Sequence, residues 1–125
     1  MIFDSLHSLT RKAKRGIQGY PLATVAYYGS DNKRASKIAV GIVNAKNEVL
    51  IMQKWFSESG DIRFDRNVHQ QILDFIRMHN AKSVAMTDRI IGCPHEEGID
   101  YPEGKTCPHC PFWENRDRFS GEVIH

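Results

Sequence analysis

The sequence predicts an α+β fold with a turn-rich C-terminal extension, and three observations carry that reading. Between residues 22 and 56, β-branched and aromatic runs are broken by short polar links, the pattern of an antiparallel meander. After residue 65, apolar positions recur with the helical period. From residue 91 to 113 the periodicity stops, and the segment holds all three cysteines and four of the five prolines.

At 125 residues the chain is expected to form a single domain. Within it, residues 1–19 read as an N-terminal helical arm, 20–90 as the α+β core and 91–125 as the extension. A hydrophobic share of 41% with 26% charged residues is ordinary for a globular protein. No apolar run approaches the roughly 20 residues of a membrane span. The first residues, Met1 to His7, lack the basic-then-apolar layout of a secretory leader, so the cytoplasm is the expected compartment. Three cysteines is an odd number, which suits a reducing compartment and metal-bound thiolates better than a disulfide framework.

The net charge of +2 is unevenly spread. Residues 1–37 carry seven basic against two acidic residues, and residues 38–125 ten against thirteen. Residues 93–125 alone carry seven acidic against three basic residues, so the extension is acidic, which counts against its gripping phosphate.

Taken in order, Phe3, Leu6, Leu9 and Ala13 space an amphipathic helix over residues 3–15, closed by Gly16. Its Arg11, Lys12, Lys14 and Arg15 read either as a basic patch for RNA or as solvated cations complementing the helix dipole. Leu22–Tyr28, Lys37–Val43 and Glu48–Phe56 follow as strands, the last two joined by the hairpin link Asn44–Asn47. Ser57–Phe64 reads as a polar loop. A helix is expected from Arg66 to His79, with Val68, Ile72, Phe75 and Ile76 on its apolar face, Asp65 or Asn67 at its start and Asn80 at its end. His69 and His79 fall off that face and read as surface or boundary residues. Ser83–Thr87 is expected to enter the sheet as a fourth strand, parallel to a neighbour after a helical crossover.

The chemistry concentrates in the extension. Cys107-Pro108-His109-Cys110 has the Cys-Pro-x-Cys form of a zinc knuckle, whose two-residue gap lets both sulfurs reach one ion near 2.3 Å. Cys93-Pro94-His95 supplies a second pair, giving the candidate zinc ligands Cys93, His95, Cys107 and Cys110. Glu96, Glu97, His109 and His125 remain open as replacements for His95. Four protein ligands imply a structural rather than a catalytic zinc. Trp113, next to the knuckle with Phe112, is expected to pack over the thiolates.

Two enzymatic readings compete. Cys-Pro-His-Cys resembles the active-site motif of thioredoxin-fold disulfide oxidases, implying redox chemistry at Cys107 and Cys110, although its flanks do not read as a strand and a helix. Across residues 22–88, three strands, a helix and a fourth strand resemble the first part of a ribonuclease H-like fold, which implies carboxylate-held metals and a hydrolase or nuclease. The first strand offers no acid, however, leaving only Asp74 and Asp88. Tyr27, Tyr28, Trp55 and Phe56, with Arg34, Lys37 and Lys54 nearby, offer a stacking platform for RNA bases on one sheet face. The wording of residues 91–113, from Gly92-Cys93-Pro94-His95 to Cys107-Pro108-His109-Cys110-Pro111-Phe112-Trp113, resembles a family of small, functionally uncharacterised bacterial proteins, and the resemblance implies metal binding alone. The first reading is a non-enzymatic zinc module presenting a surface to protein or RNA, and the second is an enzyme of either kind.

Overall fold

A computed structural model of the protein describes residues 11–14, 16, 18–105 and 107–114. Its centre is one four-stranded sheet, formed by β1 (Leu22–Tyr28), β2 (Lys37–Val43), β3 (Val49–Phe56) and β4 (Ser83–Ile90) in the order β3-β2-β1-β4. The first three strands are antiparallel, as their short links require. The helix α1 (Arg66–Met78) crosses over between β3 and β4, so β4 returns parallel to β1. The mixed α+β architecture and its expected element order are thus present. Among the described residues, no helix is long and apolar enough to cross a membrane.

The period of two divides the sheet residues between its faces. Val25, Tyr27, Ile38, Val40, Ile42, Trp55 and Val84 pack with Ile72, Leu73, Phe75 and Ile76 of α1 into the core. The register places Tyr28 beside Lys37, and Lys37 beside Phe56, on the opposite face. That second face is where the extension lands.

Four sequence expectations change in detail. The third strand begins at Val49 rather than Glu48, because Glu48 closes the hairpin with Asn44, and Asn47 takes a left-handed φ of 63° there. The 57–64 loop contains a 3-10 turn, Ile62–Phe64, whose Ile62 is fully buried. The fourth strand runs on to Ile90: after an irregularity where the Tyr27 amide donates to Thr87 Oγ1 at 3.3 Å, Ile90 pairs with Tyr27. His69 is not a surface residue. It is 1% exposed, because positions 69, 72, 73 and 76 share one helical face, and its Nδ1 lies 2.8 Å from the Asp65 carbonyl. The expected helix over residues 3–15 is seen only as a helical stretch at 11–14, the rest lying outside the described residues, as do Asn115–His125.

Short acidic caps fix the turn between β3 and β4. Asp65 Oδ1 accepts from the Val68 amide at 3.1 Å at the start of α1, and Asn80 leaves the helix with a φ of 54°. Asp61 caps the 3-10 turn and pairs with Arg63 at 2.6 Å. Burial alone raises the Asp61 carboxyl, but the hydrogen bonds and charge of Arg63 outweigh it and hold the group below its ordinary range. Asp65→Ala is expected to cost about 1 kcal/mol, read as a melting temperature lower by about 4 °C. An unchanged midpoint would mean that Val68 finds another acceptor.

Candidate metal centre

The parallel pairing of β1 and β4 delivers the first ligand. Beyond β4 the ladder continues, with the Ile91 amide donating to the Tyr27 carbonyl at 3.0 Å and the Gly29 amide to the Gly92 carbonyl at 2.8 Å. Cys93 therefore emerges at the carboxyl ends of two parallel strands, where open sheets commonly place their sites. Gly29 is required at this junction, since a Cβ there would lie 2.1 Å from the Arg34 carbonyl oxygen.

The chain then turns tightly. The His95 amide donates to Cys93 Sγ at 3.3 Å, which brings the His95 ring back over the sulfur. Within residues 96–105 the turns need left-handed backbone at Gly98 (φ 84°) and Gly104 (φ 81°). Asp100 Oδ2 accepts from the Glu96 amide at 2.7 Å, and Glu97 Oε2 from the Gly104 amide at 3.0 Å. Cys107 and Cys110 close the loop in a turn, with the Cys110 amide donating to the Cys107 carbonyl at 3.3 Å. A 3-10 turn, Pro111–Trp113, follows, and the Trp113 indole Nε1 donates to the Gly29 carbonyl at 2.7 Å. Trp113 packs against both the main core and the cysteine cluster, joining the extension to the sheet.

These turns bring Cys93, His95, Cys107 and Cys110 together with all their ligand atoms within 4.8 Å of one another. His95 Nδ1 lies 3.2 Å from Cys93 Sγ, 3.5 Å from Cys107 Sγ and 3.4 Å from Cys110 Sγ. Zinc bond lengths of 2.3 Å to sulfur and about 2.05 Å to nitrogen give a tetrahedron with S···N edges of about 3.5 Å. The observed spacings match those edges, so the cluster is shaped to hold a metal ion. Cys107 is 5% exposed and Cys110 0%, while Cys93 is half-buried. Burial pushes the Cys93 and Cys110 thiols up, so thiolate character here depends on a cation.

The alternatives to His95 fall elsewhere. His109 is exposed, its ring 5.6 Å from that of His95 and outside the cluster. Glu96 is occupied by Lys54 and Lys37, Glu97 by the Gly104 amide, and His125 lies outside the described residues.

Sequence reasoning named Lys37 only as a cation beside the aromatic platform and missed its place under the extension. Read as the start of a strand, it is 5% exposed and supports the extension from below. Its Nζ donates to the Pro94 carbonyl at 3.0 Å, lies 3.5 Å from Glu96 Oε1, and sits 5.2 and 5.7 Å from the Tyr28 and Phe56 ring centroids. Burial, and then the charge of Lys54, hold its pKa below the ordinary lysine value, against the opposing pull of Asp100 and Cys93. The available signal was the alternation of β2, which puts Lys37 on the face shared with Tyr28 rather than at a solvated edge.

Other candidate residues disperse. Tyr27 and Trp55 belong to the core, with Trp55 Nε1 donating to Gln71 Oε1 at 3.0 Å, so only Tyr28 and Phe56 of the aromatic platform share the second face. Asp74 is exposed and bonded to Gln70, and the Asp88 side chain lies outside what the structure describes. Lys12 lines a shallow cavity of about 260 Å³ with Lys82, while Arg15 lies outside the described residues. Among the described residues, Cys93, His95, Cys107 and Cys110 are the one group of three or more potential metal ligands brought together. Comparison with protein-family models, with curated proteins and with solved structures found no match.

Proposed function

We propose that this chain is a small cytoplasmic zinc protein in which Cys93, His95, Cys107 and Cys110 hold a structural zinc. The zinc fastens the extension across one end of the sheet and braces a surface for a protein or RNA partner. The observation that carries this reading is the near-equal spacing of three sulfurs around His95 Nδ1, which leaves room for one tetrahedral ion and provides four protein ligands. The thiol-disulfide alternative is less well supported. Exchange needs an accessible attacking thiol, whereas Cys107 and Cys110 are the two buried cysteines. The carboxylate-metal alternative lacks an acid on β1, the strand beside β4.

Cobalt substitution tests the ligand set. Protein refolded with Co²⁺ is expected to show the intense visible absorption of a tetrahedral ion together with thiolate-to-cobalt charge transfer. The weak spectrum of an octahedral, oxygen-ligated ion would overturn the assignment.

A further inference from the structure

The three cysteines of the centre are not equivalent. Cys107 and Cys110 are buried under Tyr101 and Trp113, whereas Cys93 faces a cleft of about 280 Å³ on the second face of the sheet. Tyr28, Met52 and Lys54 from the sheet, and His95 and Tyr101 from the extension, line the same cleft. Its formal charges already answer one another: Lys37 and Lys54 share Glu96, and Glu97 accepts from the Gly104 amide.

We infer that this cleft admits a small, uncharged soft electrophile to the metal centre, and that Cys93 Sγ is the atom it modifies. The inference rests on the zinc reading above, because a cysteine binds zinc as the thiolate and only Cys93 of the three faces the cleft. Three thiolates on one Zn²⁺, with a neutral imidazole, leave the centre with a net negative charge, and that charge favours attack on a soft carbon. With an alkyl halide, a Cys93 sulfur electron pair forms the new S–C bond, the carbon–halogen bond breaks, and the halide leaves with the bonding pair. Cys93 becomes a neutral thioether and the centre loses one anionic ligand. Cys107 and Cys110, 5% and 0% exposed and not part of the cleft lining, are spared. The volume of the cleft limits the reagent to small molecules, and its internally paired charges disfavour ionic ones.

The test is iodoacetamide at less than one equivalent, applied to zinc-loaded protein whose metal content has been measured, with the adducts mapped by peptide mass spectrometry. Cys93 is expected to carry at least tenfold more adduct than either Cys107 or Cys110. Met52 is 49% exposed, so Met52→Trp narrows the cleft mouth without disturbing the core, and it is expected to slow Cys93 labelling at least fivefold at unchanged zinc content. Adduct spread evenly over the cysteines, or labelling of Met52→Trp at the wild-type rate, with zinc present, would overturn the inference alone. Protein that holds no zinc would overturn the functional reading and this inference with it.

Discussion

Cys110→Ser is expected to lower the melting temperature by about 10 °C, corresponding to roughly 3 kcal/mol for a domain of this size. Cys110 is fully buried and its sulfur lies 3.4 Å from His95 Nδ1, so the hydroxyl that replaces it is a poor ligand in a place without water. Cys107→Ser, at 5% exposure and 3.5 Å, is expected to do the same. Zinc binding to a structural site is folding free energy, so losing a ligand reaches the whole domain through Trp113 and its bond to the Gly29 carbonyl. A chelator separates this cause from simple disruption of packing. With excess chelator the wild type should fall to the midpoint of the variants, whose own midpoints should barely move. A gap that survives the chelator would show that packing rather than metal explains the loss.

Lys37→Met is expected to weaken zinc binding tenfold to a hundredfold, measured by competition with a chromophoric chelator. Lys37 is a buried cation beneath the extension's first turn, its Nζ donating to the Pro94 carbonyl and lying within the field of Cys93. Methionine keeps the stem between the Tyr28 and Phe56 rings but removes the charge that offsets the thiolates. The same change should cost the metal-free protein little, because Glu96 is 31% exposed and keeps Lys54 as its partner, so no carboxylate is left buried and unpaired. Affinity and metal-free stability should therefore move apart. Unchanged affinity would reduce Lys37 to a packing residue.

Much of the fold was legible because the local signals agree with one another. The three antiparallel strands follow from short polar links, and the parallel return of β4 follows from a helix placed before it. The helical face was misread at His69, since a polar side chain was assigned to solvent although positions 72, 73 and 76 put it on the buried side. The end of β4 was missed because its pairing resumes only after an irregularity, and Asp88-Arg89 has no apolar alternation to announce it. At the site, cysteine spacing and the turn-forming residues were enough to pick out the four clustered side chains. Lys37 and Trp113 illustrate what spacing cannot give: which face of the sheet the extension crosses, and which carbonyl receives the indole, are fixed by packing between segments far apart in the chain. The division of exposure between Cys93 and the other two cysteines has the same origin.

Elemental analysis of protein purified without an affinity tag, run alongside a thiol titration under native conditions, asks whether the four-residue centre holds zinc. One zinc per chain, with Cys107 and Cys110 protected until a chelator or denaturant is added, is the expected result. No bound metal and three freely reactive thiols, or one disulfide and one free thiol, would contradict a zinc-fastened extension and return the cysteines to redox chemistry.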